Sequence, residues 1–547
     1  MKHLEAISEK EKQHQYHSKS LVQRLTGRFY TSELMGRELS QQVARYLRNS
    51  ESKTIRIVDP FCGDGRLLCW LIESLDSMRL LDGRQLEVNA WDLDPLAVDA
   101  ADRAIRVAVE KHSVGCSVNS RVGDTFRHAV SFFEQFDVVI TNPPWDVLKP
   151  DTRELGRLSS SAQREYITNL KNFDSFLAST YPASQPETKL YGWGTNLSRC
   201  GLQLSLCLLK KNGVCGIVSP GSFLADQTSI PLRQWLLGRF HIATVNYYPA
   251  ELRLFKSVDQ DSITMVIKES PSRKFSVYLQ HHKSSGLHIR ERVNGISTAV
   301  VCQNKGIIPL KFGKAGFTTM QKLNKLPTWS DLESGTDLKI WAGRELDETG
   351  LAKKLSTNGI VYVKGRHIKR FGYTEEPRYF LDAEHSKDIE SIHHQRIVWR
   401  DVSRPSQKLR MQAALIPEGW VTGNSLNVAY LKRGSKDFLL ALLAFLNSLV
   451  VEFQVRTTLS TSHISLGTIR NIRLPDIEAT FAKKAATIVK SCIRWNYTLM
   501  PSLEVLVAKA YGLDKQEFMT ILEAFPKLEQ GEREALLSDN RWEADRA

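Results

Sequence analysis

The sequence predicts an α/β fold, a mostly parallel sheet with helices on both faces, followed by a mixed α+β region. Three observations predict it. Between 54 and 268 short β-branched runs alternate with helical patterns, which is the signature of βαβ units. A glycine-containing turn, Asp59-Pro60-Phe61-Cys62-Gly63-Asp64-Gly65, joins the first run to the first helical pattern. After about 280 the alternation lapses and the composition becomes more basic.

The elements follow in order. Ile55-Arg56-Ile57-Val58 reads as a strand and 66–75 as a helix. Val88-Asn89-Ala90-Trp91 reads as a second strand, 95–111 as a helix, and 136–141 (FDVVIT) as a buried strand. Between 146 and 196 the periodicity gives way to a polar, Ser-rich stretch, expected to be a long loop with short helices. Then come an amphipathic helix at 197–210, a strand at 214–219, a helix at 229–238 and a strand at 261–268. No internal repeat, heptad run or low-complexity tail is present.

With 547 residues the chain has room for two to four domains. Its net charge of +14 points to a polyanionic partner, nucleic acid first. That charge is unevenly placed. Residues 59–150 carry nine Lys and Arg against fifteen Asp and Glu, a net −6, whereas 361–475 carry seventeen against ten, a net +7. This division suggests a catalytic domain followed by a nucleic-acid module. The eight cysteines include no Cys-x-x-Cys pair and sit in apolar runs, so buried free thiols are expected. The fourteen histidines show no metal-ligand spacing, and no metal is expected. The polar amino terminus has no signal core, and no run of about eighteen apolar residues could span a membrane, so a cytoplasmic protein, held on the nucleoid when bound to DNA, is expected.

Two constellations carry chemistry. In the first, Gly63 and Gly65 allow a tight turn and close backbone approach to a ligand at the start of a helix. The second strand ends in Asp92-Leu93-Asp94-Pro95, an acidic site at the spacing expected for ribose hydroxyls. Asp92 is preferred for the ribose, since Asp94 before Pro95 reads equally as a helix cap. The full Gly-x-Gly-x-x-Gly pattern is absent, which disfavours NAD and leaves another adenosine-type cofactor. The second constellation is Asn142-Pro143-Pro144-Trp145 after the buried strand. Paired prolines fix the backbone so that the Asn side chain and the Pro143 carbonyl face one point, where two acceptors suit an exocyclic amino group. Accepting both hydrogens favours a tetrahedral nitrogen whose lone pair can attack an electrophile. Trp145 offers a flat face for a planar base. Cytosine-C5 chemistry needs a thiolate, usually in a Pro-Cys pair, and no proline here precedes a cysteine.

On these motifs the chain resembles the gamma-class DNA amino-methyltransferases that act on adenine N6, with cofactor motifs first, then Asn-Pro-Pro-aromatic, then a target-recognition domain. The resemblance implies a Rossmann-like S-adenosyl-L-methionine-dependent catalytic domain at 26–280, after a polar extension at 1–25. It implies that Tyr30 and Thr31, within Gly27-Arg28-Phe29-Tyr30-Thr31-Ser32, cover the methionine moiety, and that Asp59 meets its amino group. Phe61, Gly63 and Gly65 would line the cofactor, Asp92 would hold the ribose, and Asp124 in Val122-Gly123-Asp124 the adenine. Asn142, Pro143, Pro144 and Trp145 carry over as the catalytic clamp and stacking partner. The stretch 189–222, with Gly194-Thr195-Asn196-Leu197 and Val218-Ser219-Pro220, is also similar to this family. Its members often place an aromatic residue after the strand ending at Pro220, to stack the far face of a flipped base. Gln227-Thr228-Ser229-Ile230-Pro231 has none, and the nearby Phe223 reads either as that partner or as core.

The carboxyl-terminal part resembles a TaqI-like specificity domain through RIVWRDV at 396–402, Val421-Thr422-Gly423-Asn424-Ser425, Leu446-Asn447-Ser448 and Ser462-His463-Ile464-Ser465. A connecting region at 281–330 and a mixed α+β recognition domain at 331–547 are therefore expected. Within it Arg366, Arg370, Arg400, Arg404, Asn424 and His463 are the candidate contacts to double-stranded DNA. Glu51-Ser52-Lys53 and Glu187-Thr188-Lys189 have the local form of a nuclease strand, but neither has room for a nuclease domain. A stand-alone methyltransferase, or the modifying partner of a separate restriction endonuclease or defence-system subunit, is expected. The rival readings are methylation of RNA or of a protein glutamine, or a DNA-binding module without catalysis.

Overall fold

The computed structural model describes residues 31–48, 52–151, 155–187, 189, 192–255, 260–283, 286–335, 340–347, 355–356, 358–404, 407–459 and 462–543. The expected extension at 1–25 lies outside them. The chain divides into two units, Met1–Ile308 and Pro309–Ala547.

The first unit is built on β1 (Thr54–Asp59), α2 (Arg66–Ser77), β2 (Gln85–Asp92), α3 (Pro95–Lys111), β3 (Cys116–Val122) and β4 (Phe136–Thr141), preceded by α1 (Glu33–Tyr46). There follow α4 (Ser160–Thr180), α5 (Leu197–Cys207), β5 (Leu209–Pro220), α6 (Ile230–Arg239), β6 (His241–Tyr248), β7 (Ser262–Lys268), β8 (Lys274–His282), β9 (His288–Ser297) and α7 (Thr298–Gln303). The nine strands lie in the order β3-β2-β1-β4-β5-β7-β6-β8-β9. All run parallel except β7 and β9, which are antiparallel to their neighbours. The order reverses between β1 and β4, so their carboxyl ends open the crevice where such sheets bind ligands.

Three elements depart from the sequence expectation. β3 is an edge strand whose residues, CSVNSRV, are all half or fully exposed, so no apolar run announces it. β6 is buried along almost its whole length, although Thr244 and Asn246 interrupt its apolar pattern. The Asn246 amide is satisfied there by Gln42 and by the Thr264 hydroxyl, each at 2.8–2.9 Å. The polar stretch after 146 contains one long helix, α4, capped by Ser159 and with only Leu177 fully buried, so it shows no apolar stripe. The region expected to connect the domains at 281–330 contains defined elements. β9 closes the edge of the first sheet, and Gly313–Leu323, α8, packs its apolar face in the core of the second unit.

The second unit contains α9 (Trp329–Ser334) and a four-stranded antiparallel sheet in the order β10-β18-β15-β16. A small sheet, β14-β11-β17, and a hairpin, β12-β13, accompany it. These strands are β10 (Ile340–Gly343), β11 (Ile360–Val363), β12 (Ile368–Lys369), β13 (Gly372–Tyr373), β14 (Tyr379–Leu381), β15 (Arg396–Arg400), β16 (Ala413–Ile416), β17 (Val421–Thr422) and β18 (Leu426–Leu431). The helices are α10 (Lys436–Leu446), α11 (Leu449–Thr458), α12 (Leu466–Arg470), α13 (Ala479–Trp495), α14 (Pro501–Ala510), α15 (Lys515–Leu522) and α16 (Gln530–Ser538). α10 is buried from Phe438 to Leu446 and joins Trp329, Trp399 and the later helices in one core. Among the described residues no single helix is long and apolar enough to cross a membrane.

Several arginines of this unit are structural. Arg370 was expected to touch DNA, but it is 1% exposed, and its Nη2 donates to Glu504 Oε1 at 3.1 Å. The other Glu504 oxygen accepts the Leu449 N–H at the start of α11. Burial pushes the Glu504 carboxyl upward, and Arg370 opposes that shift. A cation held this way cannot reach a phosphate. Arg370→Ala is expected to lower unfolding free energy by about 3–5 kcal/mol in urea titration, because it strands a buried carboxylate.

Candidate active site at the carboxyl ends of β1 and β4

β1 ends at Asp59, which is fully buried. Its Oδ1 accepts the Phe61 N–H at 3.0 Å, while Oδ2 is buried without a hydrogen bond of good geometry. Burial pushes this carboxyl up to about 7, with the Thr141 hydroxyl and the Phe61 N–H holding it down in part. The following turn is closed by the Cys62 N–H donating to the Trp91 carbonyl and the Gly65 N–H donating to the Cys62 carbonyl. Gly65 has φ +78°, and a Cβ there would lie 2.9 Å from the Ala101 Cα, so only glycine lets α2 start here.

Asp92 braces the same turn. Its Oδ2 accepts the Gly63 N–H at 2.9 Å and its Oδ1 accepts the Asp94 N–H at 3.0 Å. Burial raises its pKa. Asp94 caps α3 by accepting the Leu96 N–H. Asp124 caps the short helical turn Thr125–His128 through the Phe126 N–H, and Arg127 lies 3.2 Å away. The Phe61 ring stands 5.2 Å from that of Phe126. Thr31 is buried, and its carbonyl accepts from Arg66 Nη1 at 3.1 Å, beside the glycine turn. Tyr30 lies outside the described residues. Six of the seven described cofactor candidates therefore border one turn, and Asp124 reaches it through the Phe61–Phe126 ring contact.

β4 is buried throughout and delivers Asn142, half-buried, and Pro143, buried, beside Asp59. The segment after them is fastened to the entry of α5, with the Leu197 N–H donating to the Asp146 carbonyl and the Leu148 N–H to the Thr195 carbonyl, both at 2.8 Å. In the first turns of α5 lies Gly201. A Cβ there would meet Pro143 Cβ at 2.4 Å and Phe61 Cε2 at 3.3 Å. One helical glycine thus lets α5 press on both loops. Its only sequence signal is a glycine inside a helical pattern, an unfavourable choice unless packing requires it.

Trp145 and Pro144 are half-buried, and the Trp145 ring meets Phe255 at 4.9 Å, tilted by 59°. Phe255, on the segment between β6 and β7, carries no sequence signal of its own. It lines a small surface cleft with Tyr248, Pro249, Ala250, Leu254 and Ser262. That segment is held at both ends, Tyr248 Oη donating to Glu38 at 2.7 Å and Tyr247 Oη to Asp261 at 2.5 Å. Phe223 is 3% exposed, and its carbonyl accepts from the buried Arg233, which places it in the core.

Residues 92–255 match the Eco57I restriction-modification methylase family. Among solved structures the chain is similar to the type IIL restriction-modification enzyme MmeI in complex with DNA, at 10% identity and a TM-score of 0.55, over 95% of this chain and 79% of that one. It is also similar to the type IIG restriction endonuclease BpuSI, at 13% identity and a TM-score of 0.39, over 92% of this chain. A DrdV–DNA complex matches at 13% identity and a TM-score of 0.48, over 87% of this chain. The chain spans 65% of the length of BpuSI and 58% of that of DrdV. The fold is an α/β domain with an additional carboxyl-terminal domain, and the match to a methylase family implies S-adenosyl-L-methionine as cofactor. The site fits such a cation, since Asp59 offers a buried oxygen with no well-formed bond at the mouth of the glycine turn.

Because Asp59 binds its proton more tightly folded than unfolded, it lowers stability as pH rises from about 4 to about 7. Asp59→Asn should remove that loss. Urea unfolding at stepped pH should show the variant gaining on the parent across this window, by at most about 1.4 kcal/mol per pH unit.

Proposed function

We propose that this chain is a site-specific DNA methyltransferase of gamma-class type that transfers a methyl group to adenine N6 in duplex DNA, within a restriction-modification or defence system. The observation that carries the reading is the setting of Asn142-Pro143-Pro144-Trp145 at the carboxyl end of β4, beside Asp59 and tied to the cofactor turn through Gly201. When bound, S-adenosyl-L-methionine supplies an electrophilic methyl group. Asp59 Oδ2 would take its ammonium and Asp92 the ribose hydroxyls, since each oxygen of Asp92 keeps a lone pair beyond its backbone bond. Phe61 and Asp124 would border the adenine, and Thr31 with Tyr30 would cover the methionine end.

The target adenine must leave the stack to expose N6. Asn142 Oδ1 and the Pro143 carbonyl accept its two amino hydrogens and turn the nitrogen lone pair outward. Trp145 offers one stacking face, and Phe255, 4.9 Å from the Trp145 ring and tilted by 59°, would back that ring and hold its plane. These residues would hold the nitrogen for direct transfer without a covalent enzyme intermediate, the thioether leaving as the C–S bond breaks and the surplus amino proton passing to solvent. The second unit would act as a TaqI-like specificity domain. Its exposed Arg366 and Arg404, the half-buried Arg400 and Asn424, and the exposed His463 are the contacts to DNA that remain once Arg370 is assigned to the core. The likeness to MmeI, solved with DNA, supports this reading, and a restriction endonuclease or defence subunit would be its partner.

Asn142→Ala should keep cofactor binding by calorimetry but lower labelled-methyl transfer to duplex DNA by at least ~10²-fold, the scale for removing a transition-state acceptor or donor. Mass spectrometry of the digested product should show N6-methyladenine. N4-methylcytosine would overturn the substrate, and label on RNA or protein alone would overturn the class. Phe255→Ala should raise KM for DNA more than it changes cofactor affinity, and equal turnover in parent and variant would remove Phe255 from the site.

A further inference from the structure

Five segments of the second unit are tied together at one end of its sheets. β10 and β15 both pair antiparallel with β18, so their carboxyl ends meet where β18 begins, with Gly343 opposite Val428 and Arg400 opposite Leu426. The Gly365 N–H donates to Ser425 Oγ and the Asp401 N–H to the Ser425 carbonyl, each at 3.0 Å. The Ser403 N–H donates to the Ser462 carbonyl at 2.7 Å and the Ile464 N–H to the Asp401 carbonyl at 2.6 Å. Asp401 lies at the centre, with its side chain 7% exposed.

That carboxylate organises two side chains that reach the surface. Oδ1 accepts from Arg344 Nη2 at 2.7 Å and from Asn427 Nδ2 at 3.2 Å. Oδ2 lies 2.9 Å from His463 Nδ1. Arg344 Nε also donates to Asn427 Oδ1 at 3.2 Å, and Asn427 is fully buried. The inner edge of the guanidinium, Nε and one Nη2 hydrogen, is therefore consumed by buried acceptors. The outer edge, Nη1 and the other Nη2 hydrogen, makes no bond among the described residues, and the side chain is 47% exposed. His463 is 66% exposed, with Nε2 turned away from Asp401.

We propose that Arg344 reads a guanine in the major groove, with Asp401 as its positioning residue and His463 facing the neighbouring base. This rests on the reading of the second unit as the DNA-holding domain. A phosphate contact is best served by an unpaired cation, and a carboxylate beside it would repel the backbone. Arg404, which is exposed, suits that role, whereas Arg366 lies 3.7 Å from the exposed Glu375 carboxylate. An arginine neutralised and oriented from behind instead presents two parallel donors, the pattern that matches guanine O6 and N7. Fixing the guanidinium before DNA arrives also removes an ordering cost at binding.

The test uses the full chain and a randomised duplex pool, selected by binding and sequenced, with methyl transfer assayed in parallel. The wild type should enrich one motif containing an essential G·C pair. Arg344→Ala and Arg344→Gln should each lose the preference at that single position, with affinity for the motif falling about 10- to 100-fold, the range of one bidentate base contact. Asp401→Asn should relax the same position, and cofactor binding should be unchanged in all three. An unchanged motif in the Arg344 variants would overturn the proposal, as would an equal loss on every sequence with a shallower salt slope, which marks a phosphate contact. A wild type that enriches no motif would also overturn it. Motif selection without methyl transfer would leave Arg344 as a reader and overturn the methyltransferase reading alone.

Discussion

The closeness of α5 to the two loops beneath it is the constraint on which the candidate site rests. Gly201 has no side chain, so the helix lies directly on Pro143 of the Asn-Pro-Pro-Trp loop and Phe61 of the glycine turn. A single added methyl would sit 2.4 Å from Pro143 Cβ and would have to move one element or the other. Since interiors are packed as tightly as organic crystals, such a contact transmits position faithfully. Direct transfer between two bound groups requires that kind of fixed spacing, because misplacement by an ångström costs much of the rate.

Around that contact the carboxylates at the strand ends are used in different ways. Asp92, Asp94 and Asp124 each accept a backbone N–H that would otherwise be orphaned at a turn or helix start. Asp59 has one oxygen so used and one buried without a well-formed bond, and burial raises its pKa to about 7. The tyrosine pair at the end of β6 shows the complementary arrangement. Both hydroxyls are spent on carboxylates, and Phe255 beyond them meets Trp145.

The second unit separates two uses of arginine. Arg370, Arg396 and Arg410 are fully buried and bind carboxylates or carbonyls, where they specify packing. Arg344 and Arg366 keep an exposed guanidinium, the first backed by Asp401 and the second lying over the Tyr379 ring at 5.0 Å. Net charge therefore overstates the surface available to a polyanion, because part of the basic excess is neutralised inside the domain.

The sequence alone determined the alternation of strands and helices through 268, the glycine turn, the acidic strand ends and the Asn-Pro-Pro-Trp loop. Each of these depends on interactions between residues near in the chain, where φ restrictions, capping and apolar period act directly. It did not reveal β3 or α4, whose exposed surfaces carry no apolar pattern, nor β6, whose buried Asn246 is satisfied by partners from α1 and β7. Gly201, Phe255 and the joining of Arg344 and Asp401 to His463 were likewise illegible, and Arg370, a candidate DNA contact, is buried. Their roles arise from residues 57 to 140 positions apart that meet only when the chain is packed, so burial, pairing and close approach were decided by the tertiary structure.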